Sequence, residues 1–199
     1  MHANDPVSSL AFDFYVIPDQ IDGCEYDYIT GNDVVCCYES FDPTPPNSGM
    51  SGVTIDESGS GRDIIIESGY SVTWTATSNS FGNVEEAYMG NGNIIIEEEA
   101  SLTIEDMTIH FREDYGIYLY SNYPKTGSRL ELNNTTLTAH DICEDNILWK
   151  GIVLDGDLVS SQIPTSTTSQ PYLYMISSTI EFAELGVHAA EGGLLKAYN

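Results

Sequence analysis

The sequence predicts an all-β fold in which short strands stack coil upon coil as a solenoid, and three observations predict it. The phrase LTIEDMTIHF (102–111) returns as LELNNTTLTA (130–139) and as LYMISSTIEF (173–182). Upstream, IIIESGYSVTW (64–74) matches IIIEEEASLTI (94–104) without a gap. Each later phrase is followed by a further short one: GIYL (116–119), GIVL (151–154) and GVHA (186–189). All of these stretches alternate apolar and polar residues with period two and are punctuated by Gly, Asn, Asp and Ser, the pattern of short strands joined by tight turns. A strand of four or five residues with one apolar face cannot bury that face alone. Stacking each coil on its predecessor builds a continuous interior, and backbone pairing between coils satisfies the main chain.

Taken in order, residues 1–52 carry no repeated phrase. The run DPTPPNSGMSG (42–52) contains Pro43, Pro45 and Pro46, which remove backbone donors and favour extended conformations. This segment reads as an N-terminal cap or docking segment with a linker, bounded near Gly52, and residues 53–199 as the solenoid. Cys24, Cys36 and Cys37 lie in the first segment and Cys143 in the second. The separation of Cys24 from Cys36 and Cys37 suits a disulfide worth about 3 kcal/mol in the chain-entropy model; free buried thiols are the alternative. Zinc is disfavoured, because no CxxC pair is present and His2, His110, His140 and His188 are scattered.

The repeat proper places Leu102, Ile104 and Ile109 in register with Leu130, Leu132 and Leu137, and with Leu173, Met175 and Ile180. Asp106, Asn134 and Ser177 share one position, and Thr108, Thr136 and Thr179 another. Small polar residues at the first of these suit a bend, since Asn and Asp tolerate left-handed backbone angles. Leu195 in GGLLKA (192–197) starts a further copy. Successive copies begin 28, 43 and 22 residues apart (102 to 130, 130 to 173, 173 to 195), and the long interval holds the polar insertion DGDLVSSQIPTSTTSQP (155–171). Trp74 and Trp149 fall at inward positions. The last copy stops partway through a coil, so the expectation is that the polypeptide continues past Asn199 or that another chain covers that end. A β-sandwich also has many short strands but does not require like residues to recur in register. A leucine-rich repeat would show its Asn signature and helical halves.

Composition bounds the partners. The chain has 31 acidic and 6 basic residues, a formal net charge of −25, with 41% hydrophobic residues and 13 Tyr among 199 residues. Such a surface lacks the cations that nucleic acid binding needs and is repelled by anionic lipid. No apolar run is long enough to span a bilayer as a helix, so membrane insertion is not expected. The opening MHANDPVSSLAFDFYVIPD (1–19) has no basic segment followed by an apolar one, so no secretory signal is visible. The acidity reads as solubility in an exterior medium or, alternatively, as divalent-cation binding, with Ca2+ the candidate ion.

The stretches IIIEEEASLTIEDMTIHF (94–111), SRLELNNTTL (128–137), ILWKGIVLDGD (147–157) and SSTIEFAELGVHAAEGGLLKAYN (177–199) resemble the right-handed parallel β-helix repeats of large secreted or surface proteins of Bacteroidota-type bacteria, often exported by type IX secretion. Trp149, Gly151 and Ile152 match the Trp-x-Gly-Ile phrase of that group. The resemblance covers about residues 60–199. It implies a right-handed parallel β-helix and an extracellular or cell-surface location. It does not choose an activity, because this architecture hosts lyases, hydrolases, adhesins and spacers.

Candidate chemistry is sparse. A polysaccharide lyase needs carboxylates for calcium and an Arg or Lys base, yet Arg62, Arg112, Lys125, Arg129, Lys150 and Lys196 do not recur at one coil position. A glycosidase needs two facing carboxylates. Glu97, Glu98, Glu99, Glu105, Asp106, Glu113 and Asp114 are so crowded that a suitable pair arises by chance, and they read as a solvated charged face that blunts edges rather than as a catalytic pair. His110 is expected to point outward beside Glu113 or Asp114, as a surface residue or a general base. His140 and Asp141 adjoin Cys143, which admits a Cys and His nucleophile reading with nothing to fix its geometry. In DYGIYLYSNYP (114–124), with Tyr115, Tyr118, Tyr120 and Tyr123, a strand would turn Tyr118 and Tyr120 outward, opposite Ile117 and Leu119. That stripe is the candidate binding surface for sugar or protein, with packing under a neighbouring loop as the alternative.

The expectation is therefore a non-enzymatic extracellular structural or adhesive module of a large surface or appendage-forming protein, partnered by other proteins or by copies of itself. The alternative is a carbohydrate-active or carbohydrate-binding β-helix fragment that takes glycans on its outward Tyr and carboxylate face. No catalytic residue and no metal ligand is assigned.

Overall fold

The computed structural model describes residues 49–58, 61–121, 124–140, 148–160 and 169–198, all within the unit spanning residues 40–199. The four cysteines, and with them the proposed disulfide and the His140–Asp141–Cys143 group as a whole, lie outside the described residues, as does almost all of the 1–52 segment.

Every described element is a strand. A first sheet holds β1 (Val53–Asp56), β2 (Asp63–Ile66), β5 (Ile94–Ile96), β8 (Gly116–Tyr120), β11 (Trp149–Asp155) and β14 (Ala183–Ala190), in that order. A second holds β3 (Ser71–Thr75), β6 (Ser101–Glu105), β9 (Arg129–Asn133), β12 (Tyr172–Ile176) and β15 (Leu194–Tyr198). A third holds β4 (Glu86–Tyr88), β7 (Thr108–Phe111), β10 (Thr136–Ala139) and β13 (Thr179–Ile180). From β2 onward the chain visits first, second and third sheet in strict rotation, and every pairing after the first is parallel.

The ladders carry like on like. Leu102 lies beside Leu130, Leu130 beside Leu173, and Leu173 beside Leu195. Ile64 to Ile66 pair with Ile94 to Ile96 without a slip, and Trp74 pairs with Ile104. Inward side chains of all three sheets, among them Ile66, Leu119, Ile104, Leu132, Ile109 and Phe111, are wholly buried in one apolar cluster. Trp74 and Trp149 are buried there too. Trp149 stacks on Phe111 at 4.5 Å and donates from its indole to the Glu181 carbonyl at 2.8 Å. Two antiparallel layers, as in a sandwich, are thereby excluded for these strands.

The bends between second and third sheet have the predicted chemistry. Asp106, Asn134 and Ser177 adopt φ of 54°, 48° and 47°, the left-handed region. Between β3 and β4 the chain takes a longer path organised by buried Asn79. Its amide donates to the Thr75 and Val84 carbonyls, each at 2.8 Å, and its oxygen accepts from the Phe81 and Asn83 amides at 2.9 and 3.1 Å. That loop seats Phe81 edge-on against Trp74, at 5.3 Å.

Two expectations are corrected. The parallel ladder does not begin at residue 53, because β1 runs antiparallel to β2, with Val53 opposite Ile66. The six residues between them suffice for a hairpin but not for the crossover a parallel pair demands. The alignment of GVHA with GIVL holds for Ile152, Val153 and Leu154, which pair with Val187, His188 and Ala189, but fails at Gly151. Gly151 pairs with Leu185 and Ile152 with Val187, so Gly186 is the extra residue of a β-bulge. Gly151, at φ 87°, lies so close to the Leu185 carbonyl that a β-carbon there would collide with it.

Candidate functional site

Functional groups sit on the outward positions of the three sheets, so each face is taken in turn. On the first sheet Tyr118 and Tyr120 alternate with buried Ile117 and Leu119. Tyr118 lies in a ladder column flanked by Ile95 and Val153, an aliphatic rather than a polar setting. Tyr120 lies beside Asp155. Burial, and then the negative charge of Asp155, with smaller contributions from Tyr118 and Asp63, raises the Tyr120 phenol above its ordinary pKa. These two residues share a face, and their ladder neighbours there are Ile95, Val153 and Asp155.

On the third sheet the expected neighbours of His110 are replaced by others. His110 belongs to β7 and is not beside Glu113 or Asp114. Its Nε2 lies 2.7 Å from Glu86 Oε1 on β4, its Nδ1 faces the Ala139 carbonyl at 3.4 Å, and its ring stacks on Tyr88 at 4.4 Å. The ladder register explains this, since it sets Tyr88 beside His110 and Glu86 one strand step away, whereas Glu113 and Asp114 lie past the end of β7. Tyr88 donates to the same Glu86 oxygen at 3.0 Å and makes an edge contact with His140 at 5.2 Å. Burial, followed by the hydrogen bond and charge of Glu86, pushes the Tyr88 phenol up to about 12.

Most carboxylates of the acidic runs tie one circuit of the chain to the next. Glu98 pairs with Lys125 at 2.7 Å, Asp114 with Lys150 at 3.2 Å, and Glu97 accepts from the Ser68 amide at 2.9 Å. Asp106 accepts from the Asn134 side chain at 2.7 Å, and Glu105 from that of Asn133 at 3.4 Å. Among the described residues, no three His, Cys, Asp or Glu side chains gather as a metal cage.

The second sheet carries the group that the sequence reading passed over. Tyr172 and Tyr174 are outward on β12, with centroids 6.3 Å apart, and Tyr198 on β15 lies 5.7 Å from Tyr174. The guanidinium of Arg129 on β9 lies 5.6 Å from the centre of the Tyr172 ring. The ammonium of Lys196 stands between two rings, 5.7 Å from Tyr174 and 4.9 Å from Tyr198. In such contacts the cation is attracted by the negative face of the ring. The signal was present in the repeat. Once Leu173 is aligned with Leu195 and with Leu130, Tyr172, Tyr174, Lys196, Tyr198 and Arg129 all fall at outward positions of neighbouring strands.

No helix among the described residues is long and apolar enough to cross a membrane. Comparisons of the chain with protein-family models, with curated proteins and with solved structures found no match.

Proposed function

We propose that the strands from β2 onward form a right-handed parallel β-helix, and that the chain is a non-enzymatic structural and adhesive segment of a large secreted or surface protein of the Bacteroidota type. The single observation that carries this reading is the strict rotation through three parallel sheets with like residues stacked on like. In such an architecture each circuit touches only its neighbours, so the interior lengthens by repetition and gives a rigid scaffold without demanding a catalytic cleft. The use of Glu97, Glu98, Asp106 and Asp114 as struts between circuits fits a scaffold better than a hydrolytic pair. A net charge of −25 fits exposure to an exterior medium and discourages contact between copies except where local charge permits it.

Three measurements test the proposal. An experimental structure is expected to show the three sheets winding with right-handed sense; left-handed winding, or closure into another topology, would overturn the fold. Antibody against the chain is expected to label intact cells of the source organism. Incubation with a panel of neutral and acidic polysaccharides is expected to release no new reducing ends or unsaturated products, and turnover of any of them would overturn the non-enzymatic reading.

A further inference from the structure

We propose that the outward face of the second sheet across β9, β12 and β15 binds an acidic glycan, a saccharide chain bearing carboxylate or sulfate groups. This goes beyond the scaffold role and does not depend on it, since the face needs only the second sheet.

Three tyrosines follow one another across the face, Tyr172 to Tyr174 to Tyr198, at centroid separations of 6.3 and 5.7 Å. All three are outward, and Tyr198 is about half exposed, at 49%. Flat rings with hydroxyl tips present apolar area and hydrogen-bonding groups together, which is the surface a pyranose offers in return. The second ingredient is charge. The chain has only 6 basic residues against 31 acidic ones, yet Arg129 and Lys196 both stand on this face.

The setting of Lys196 differs from that of the other lysines. Lys125 is paired with Glu98 and Lys150 with Asp114 and Glu184. Among the described residues the rings of Tyr174 and Tyr198 flank its ammonium, and hydrogen bonding to Tyr198, opposed by a smaller effect of burial, raises its pKa. An ammonium carries three donors, so a phenol leaves it able to take an anion as well. A cation surrounded by aromatic rings on so acidic a chain is suited to an anion brought from outside.

The remaining charge selects the kind of anion. Carboxylates farther than a Debye length of about 8 Å at physiological ionic strength are screened, so a short charged stretch can settle here while an extended polyanion such as nucleic acid meets the whole acidic surface. Glu131 lies beside Tyr174 in the ladder and bounds the site on the β9 side. The Lys196 ammonium and the three rings match one charged sugar within a saccharide chain.

The test is equilibrium binding of the full 199-residue chain to chondroitin sulfate and oligogalacturonate oligosaccharides, with cello-oligosaccharide, inorganic sulfate and a phosphotyrosine peptide alongside. One or both acidic oligosaccharides are expected to bind at least about tenfold more tightly than the neutral one, and more tightly than sulfate or the phosphopeptide. Lys196→Gln and Tyr174→Ala are each expected to weaken binding at least about fivefold with unchanged urea midpoints, while Ile95→Ala, on the outward face of the first sheet, leaves it unchanged. Glu131→Gln removes a repulsive charge and is expected to tighten binding, a gain that misfolding cannot imitate. Absence of binding to either acidic oligosaccharide, equal affinity for the neutral one, preference for the phosphopeptide, or indifference to Lys196→Gln and Glu131→Gln would each overturn the proposal.

Discussion

Asn134 donates from Nδ2 to Oδ1 of Asp106 at 2.7 Å, and the two residues hold the same left-handed backbone conformation one circuit apart. The Asn134 amide meanwhile donates to the Ile176 carbonyl of the next circuit at 3.0 Å. Position and partner thus reinforce each other. Asn134→Val is expected to lower stability by about 2 kcal/mol, combining the left-handed penalty for a branched residue with the lost bond. Asn134→Gly should cost less, because only the side-chain bond goes. Urea denaturation of the two variants checks the order; equal losses would show that the backbone angle is not what Asn supplies.

Glu99 and Gly69 sit thirty residues apart at equivalent places before β6 and β3, and both have left-handed φ, 65° and 82°. Glycine adopts this conformation freely, whereas glutamate does not. Glu99→Gly is therefore expected to stabilise the chain by up to about 1 kcal/mol despite losing its 3.8 Å approach to Lys125. Gly151→Ala is expected to do the reverse by about 2 kcal/mol or more, because its φ of 87° is joined by a collision with the Leu185 carbonyl. Thermal melts of both single variants check the opposite signs.

Leu130 is fully buried between Leu102 and Leu173 in the second-sheet ladder. Leu130→Ala is expected to cost about 2–5 kcal/mol, the range for a buried leucine whose cavity cannot collapse. A change below about 1 kcal/mol in chemical denaturation would mean that consecutive circuits do not share one packed interior.

The Tyr88 phenol, pushed up to about 12 by burial and by Glu86, predicts an alkaline limit to stability. Because the folded pKa lies above the unfolded value of about 10, the contribution is complete below pH 10 and is lost as pH rises from there toward 12. Glu86→Gln removes the charge and should narrow that window. Absorbance titration near 295 nm of wild type, Tyr88→Phe and Glu86→Gln identifies the late-ionising phenol; a high-pH phase that persists unchanged in Tyr88→Phe contradicts the assignment.

The parts of the fold legible from the amino acids are those held by a volume constraint. Leu102, Leu130, Leu173 and Leu195 could be aligned by eye because an inward position surrounded by neighbours above and below tolerates few residue types. The bend positions Asp106, Asn134 and Ser177 were legible for a related reason, since few side chains accept left-handed φ. Outward positions carry no such restriction. Tyr172 and Lys196 differ from their ladder neighbours Arg129 and Tyr174, so the repeat sets them on one outward face without marking them as a group. The bond between Glu86 and His110 joins residues 24 apart through a pairing that starts in an irregular loop, and the neighbours expected from sequence order, Glu113 and Asp114, fall outside the strand.

The amino-acid order alone determined that this chain makes short strands with one apolar face, repeated in a fixed register, because period-two alternation and turn residues act locally. Only the tertiary structure decided that β1 turns back antiparallel, that Gly186 bulges out of its ladder, and that three tyrosines and two cations meet on one sheet. Those outcomes depend on which strands lie side by side, and adjacency is settled by how the whole interior closes and not by any residue's own preference.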